Sequence, residues 1–172
     1  MSEIAVVRVG TGPEVVLVHG GASPATTWVG LESLAERWTL AFVHRRGFAP
    51  SPDPPHGRQD FDIDAGDLVP LLDGRPHVVA HSYGALGALI AATRRPAEVR
   101  SLTLIEPPIY LPADDPEVVR LKRMGEAVLA HGLDADPATL RAFLRIAGAP
   151  VDDAAPLSDD VARGVRRAHG GR

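Results

Sequence analysis

Residues 77–90 read His-Val-Val-Ala-His-Ser-Tyr-Gly-Ala-Leu-Gly-Ala-Leu-Ile, an apolar β-branched run that passes straight into a helical pattern with no loop between. Few folds accept such a junction, because the strand must be buried on both faces and the helix must then double back over the sheet. Continuous apolar runs recur at 15–18 (VVLV), 40–43 (LAFV) and 102–105 (LTLI). Segments with helical spacing lie between them, such as Trp28, Leu31, Leu34, Ala35 and Trp38. Alternating β and α predicts an α/β fold with a mostly parallel sheet and flanking helices. Residues 4–9 and 15–18, separated by Gly10-Thr11-Gly12-Pro13, read as an opening hairpin. The segment Leu86–Arg95 stops before Pro96, whose ring cannot continue a helix, and 60–72 forms a weaker helix interrupted by Gly66 and Pro70.

Beyond Pro107-Pro108 the strands stop. Asp115-Pro116 and Asp136-Pro137 are N-caps followed by proline at the first helical position, Gly132 and Gly148 suit helix C-termini, and Ser158 caps a third stretch reaching Ala168. The expected division is a core over 1–112 and a helical, cap-like segment over 113–172.

Eighteen basic against 22 acidic residues give a net charge of −4, which leaves no basic surplus for nucleic acid or an anionic membrane. The chain has no cysteine, so thiolate zinc sites, disulfides and a cysteine nucleophile are excluded and any nucleophile must be serine. No signal-like N-terminus and no apolar run of membrane-spanning length is present, and cytoplasmic residence is the expectation. No metal-ligand spacing or dinucleotide fingerprint stands out, so no cofactor is expected.

Within the strand-to-helix junction, Ala80-His81-Ser82-Tyr83-Gly84 fits small-x-Ser-x-small. A sharp turn there strains the serine backbone and leaves no space for bulky residues two positions away. The serine then stands at a helix N-terminus, where unpaired N–H groups stabilise negative charge. Upstream, VVLVHGGAS ends a strand in His19-Gly20-Gly21, followed later by FVHRRGFAPSP and VRSLTLIEPP. With these four segments in register the chain resembles the α/β-hydrolase superfamily, in particular its serine esterase-like members with a helical cap. The resemblance covers 4–110 closely and 113–170 loosely.

The resemblance implies Ser82 as nucleophile, the N–H groups of Gly21 and Tyr83 as oxyanion hole, and His19, Gly20, Ala80, His81 and Gly84 as motif support. It implies hydrolysis of small ester-like or acyl substrates, and a serine argues against the dehalogenase and epoxide-hydrolase branches, which carry Asp there. His44 departs from the acidic residue that relatives often have before Arg-x-Gly. Relatives also continue for two strands that deliver a catalytic acid and the catalytic His, whereas this sequence reaches Arg172 within the cap-like helices. The expectation is therefore a truncated, weakly active or inactive hydrolase. The alternative is a catalytically dead domain that binds a small apolar ligand or a protein partner.

No histidine stands out as base. His81 adjoins Ser82, but side chains diverge at a tight elbow; His19 reads as a brace, His77 as lying at the far strand end, and His44 and His56 as loop residues. His131 suits a helix C-terminus, and His131 or His169 would have to complete an unusual triad. Glu106 ends SLTLIE, where some superfamily members place their carboxylate; it reads either as a catalytic acid or as an edge carboxylate bound to backbone N–H groups. The last strand would expose an edge, to be covered by the cap helices or paired with a second chain, so a homodimer is possible.

Overall fold

A computed structural model describes residues 3–57, 59–109, 114–120, 122–123, 136–146, 148 and 151–156, without the side chains of His56 and Ile146. The chain divides into two compact units, one of 1–55 with 59–108 and another of 56–58 with 109–172.

The first unit is an α/β sheet of five strands, β1 (Val6–Val9), β2 (Glu14–Val18), β3 (Thr39–Val43), β4 (His77–His81) and β5 (Ser101–Ile105), in the order β1-β3-β2-β4-β5. Pairs β2–β3, β2–β4 and β4–β5 are parallel, and β1 runs antiparallel to β3. Val16, Leu17 and Val18 on β2 and Leu40, Ala41 and Val43 on β3 are buried, as central parallel strands covered on both faces require.

The expected hairpin does not form: β1 and β2 are separated by β3. Gly10 at φ 88° and Gly12 at φ 127° carry the chain against residues 35–38, where a Cβ on either glycine would stand 2.3–2.4 Å from a backbone oxygen. Thr39 then hydrogen-bonds Pro13 O through its N–H and Gly12 O through Oγ1, which starts β3 beside that loop. Burial explains the insertion, since β3 takes the inner place while Val7 and Val9 on β1 stay exposed.

Helices α1 (Pro24–Thr27), α2 (Phe61–Leu68) and α3 (Tyr83–Arg94) belong to the first unit, and α4 (Pro137–Ile146) to the second. The apolar spacing of 28–38 does not become one helix. Trp28 closes α1, Gly30 adopts φ 85°, and only a 3-10 turn over Glu32–Glu36 follows, yet Trp28 still joins Leu17 and Leu40 in a core cluster. Asp60 caps α2 through the N–H groups of Asp62 and Ile63, and past Leu68 the helix tightens to a 3-10 turn at Val69–Leu72, where Pro70 enters. On α3, Gly87 lets α2 approach, because a Cβ there would lie 2.9 Å from Asp64 Cβ.

In the second unit, Asp115 and Asp136 act as the expected caps: Asp115 Oδ1 accepts from Glu117 and Val118, and Asp136 Oδ1 from Ala138 and Thr139. Gly148 has the left-handed φ of 77°. Gly132 and the stretch 158–168 lie outside the described residues. Among the described residues no helix is long and apolar enough to cross a membrane.

Candidate active site

Strand β4 lies between β2 and edge strand β5, so its C-terminal end is flanked by a strand on each side. Ser82 follows at φ 49°, ψ −125°, a conformation that L-residues rarely adopt and that costs roughly 1–3 kcal/mol. Two hydrogen bonds impose it. Ser82 N–H donates to Ile105 O at 2.9 Å, completing the β4–β5 ladder, and Ser82 O accepts from Ala85 N–H at 2.9 Å, opening α3. The serine side chain makes no helix-cap bond and is half-buried. Tyr83 begins α3, so its N–H lies at the positive pole of the helix.

The small residues are small for a measurable reason. A Cβ on Gly84 would stand 2.2 Å from His19 O, and Ala80 is completely buried. A Cβ on Gly20 would come within 2.9 Å of Ser82 Cβ and 3.1 Å of His81 O. The loop after β2 is therefore pressed against the elbow, bringing His19, Gly20, His81, Ser82 and Gly84 together, with Gly21 next along the loop.

His19 is fully buried, and both ring nitrogens are engaged. Nε2 accepts from Arg45 N–H at 3.1 Å, which leaves the proton on Nδ1, 3.0 Å from Gly20 O. Burial first, and then the Arg45 charge, lower its pKa to about 3. A neutral, doubly bonded imidazole braces the loop.

Arg45 is buried and was not singled out from the sequence. Its Nε donates to His19 O (2.9 Å) and one terminal nitrogen to Gly20 O (2.7 Å). The other terminal nitrogen donates to Gln59 Oε1 (2.6 Å) and Asp64 Oδ2 (2.7 Å). The guanidinium also lies 4.8 Å from the Tyr83 ring centroid. Burial raises the Asp64 pKa, and Arg45 opposes that shift. Burial, then the Asp64 charge, raises the Tyr83 pKa. Next in sequence, Arg46 forks onto both Asp67 oxygens at 2.6 and 2.7 Å. The sequence offers two adjacent arginines one residue past an apolar strand and Asp64 and Asp67 three residues apart on one helix face, but neither pattern says that Arg45 is buried.

Glu106 follows β5 with φ 49° and places Oε2 3.5 Å from His81 Nε2. Its side chain is 72% exposed, which makes the pair weak. His81 Nδ1 is buried with no hydrogen-bond partner among the described residues. His44 Nδ1 lies 2.8 Å from Ala49 O, and Ser51 Oγ donates to His44 O, so the position where relatives often carry an acid is used to close its own loop. His77 Nδ1 is 2.7 Å from Ser101 Oγ at the opposite strand end. The His56 side chain, His131 and His169 lie outside the described residues. Among the described residues no three His, Asp or Glu side chains gather to hold a metal ion.

A mostly parallel sheet whose inner strand β4 turns through a left-handed serine into a helix, against a His-Gly-Gly loop, is the arrangement of the α/β-hydrolase fold. A family model described as the alpha/beta hydrolase family matches residues 15–171, and the chain belongs to that family. It is 31% identical over 170 residues to a pimeloyl-(acyl-carrier protein) methyl ester esterase of Methylococcus capsulatus, covering 95% of this chain and 62% of that protein. An Aeromonas hydrophila esterase of the same name is 29% identical over 114 residues, which span 65% of this chain and 45% of that protein. A crystal structure of an alpha/beta hydrolase from Nostoc sp PCC 7120 superposes with a TM-score of 0.70 at 23% identity, covering 96% of this chain and 65% of that one. The chain thus spans roughly half to two thirds of the length of these relatives.

Proposed function

We propose that this chain carries the nucleophile and the oxyanion donors of a serine hydrolase acting on small ester or related acyl substrates. The carrying observation is the left-handed Ser82, held between the β4–β5 ladder and α3 with Gly20 packed on its Cβ. Ser82 Oγ adds to the substrate carbonyl, and the negative charge on the carbonyl oxygen falls to the N–H groups of Gly21 and Tyr83. The Ser82 hydroxyl proton ends on the departing alcohol as the acyl-serine forms, and water then releases the acid and returns a proton to Ser82 Oγ. The names of the two esterase relatives support the ester class.

Among the described histidines none is placed to serve Ser82 as general base. His19 is fully engaged, His44 and His77 face other partners, and His81 Nε2 turns to Glu106. Glu106 enters this reading as a charge at the mouth of the site. Without a base, the oxyanion hole and binding still supply roughly 10³–10⁴-fold over water.

The test is a fluorophosphonate probe on the purified chain, read by intact mass and peptide mapping. A single adduct on Ser82, absent from Ser82→Ala, is expected. A folded chain that takes no adduct would overturn the reading in favour of a non-catalytic domain binding a small apolar ligand or a protein partner.

A further inference from the structure

Two carbonyls that precede the proposed oxyanion donor, those of His19 and Gly20, both turn inward to one buried side chain. Gly20 O receives two contacts, from the Arg45 guanidinium at 2.7 Å and from His19 Nδ1 at 3.0 Å. A trans peptide is planar, with its C=O and the following N–H pointing in opposite directions. Fixing Gly20 O toward Arg45 therefore turns the Gly21 N–H away from the interior. That N–H belongs to the loop that lies against Ser82.

We infer that Arg45 is a positioning residue that aims the Gly21 N–H at the oxyanion by holding the Gly20 carbonyl on the opposite side of the same peptide. The inference rests on the proposed serine chemistry and adds what presets its geometry. The guanidinium cannot drift, because Gln59 Oε1 and Asp64 Oδ2 take its remaining terminal nitrogen. Gln59 Nε2 donates in turn to Arg46 O, tying the loop after β3 to itself. The planar fork matters as much as the charge: Nε and one terminal nitrogen reach two successive carbonyls, which an ammonium on a single stem does not reproduce. Arg45 also stacks on Tyr83, the residue that supplies the other proposed donor, so one side chain references both halves of the hole. The cost of leaving such groups in water-free surroundings is met by Asp64, its buried counter-charge.

The test compares the native chain with Arg45→Lys and Arg45→Met by two readouts. The first is fluorophosphonate modification of Ser82, resolved into the reversible binding constant and the rate of bond formation. Arg45→Met is expected to slow bond formation about 10²-fold, the scale of losing one oxyanion donor, with the binding constant unchanged. Arg45→Lys, which keeps a charge opposite Asp64, is expected to fold and yet recover less than a tenth of that loss. A folded variant that reacts at the native rate overturns the inference, as does equal weakening of binding and bond formation. The second readout does not depend on the chemistry: the backbone amide resonance of Gly21 and its hydrogen-exchange rate. Both are expected to change in Arg45→Lys while those of α2 and α3 stay put. If Ser82 proves unreactive in the native chain, the serine reading fails on that result alone, and an unmoved Gly21 amide would separately sink the positioning role.

Discussion

Gly84 and the carbonyl of His19 are in such close approach that a Cβ on Gly84 would stand 2.2 Å from that oxygen. The same carbonyl accepts from Arg45 Nε, so it cannot retreat without breaking a buried charge-assisted bond. Gly84→Ala should therefore destabilise the protein by about 2–3 kcal/mol, as overpacking against backbone does, and lower the urea midpoint. A melt within about 0.5 kcal/mol of the native chain would show that the elbow relaxes freely.

Ser82 predicts the reverse. Its φ of 49° is strain that glycine does not feel. Ser82→Gly should gain about 1 kcal/mol over Ser82→Ala while both lose the phosphonate adduct. Equal stability of the two variants by chemical denaturation would argue that the turn stores no strain.

The pH dependence follows from His19, whose pKa is lowered from 6.5 to about 3 by burial and Arg45. The unfolded chain takes up a proton below 6.5 and the folded chain does not until about 3, so stability falls as pH drops through that window. The slope approaches about 1.4 kcal/mol per pH unit. Asp64, with its raised pKa, acts in the opposite sense, so the measurement is the difference between the native chain and His19→Asn. Parallel stability curves for the two between pH 6.5 and 4 would contradict the depressed value.

Among the ion pairs, burial ranks the cost of breaking them. Arg46 and Asp67 have side chains 4% and 11% exposed, and removing the carboxylate with Asp67→Ala should cost about 3 kcal/mol. The Arg8–Glu14 pair, with Arg8 at 48%, should tolerate Arg8→Ala within about 0.5 kcal/mol. Thermal unfolding of the two variants side by side separates these expectations.

Strand existence was legible because a strand buried on both faces must be continuously apolar, and 15–18, 40–43, 78–80 and 102–105 all lie within observed strands. Helix punctuation was legible for a similar reason: Asp115, Asp136 and Pro96 act through their own covalent structure on neighbouring backbone. The opening hairpin was misread because nothing local to Gly10–Pro13 reports that β3 competes for the inner place beside β2. The helix anticipated over 28–38 failed likewise, since Trp28 reaches its core cluster from the end of a short helix as well as from the middle of a long one. At the elbow, Ser82 and Gly84 were legible from the small-x-Ser-x-small spacing and Gly20 only through the family resemblance; the close approaches at Gly20 and Gly84 give the physical reason. Arg45 could not, because an arginine in sequence looks like surface until a carboxylate and two carbonyls converge on it.

The order of residues alone determined which segments are strands and where the chain turns so sharply that a serine must take a left-handed backbone, since both follow from covalent geometry and local burial. Tertiary structure alone decided the sheet order and the company of Arg45, because side chains at 19, 45, 59 and 64 meet only after the loop after β2, the connection after β3 and helix α2 have packed. Contacts between residues distant in sequence are energies of the folded state, and no local pattern encodes them.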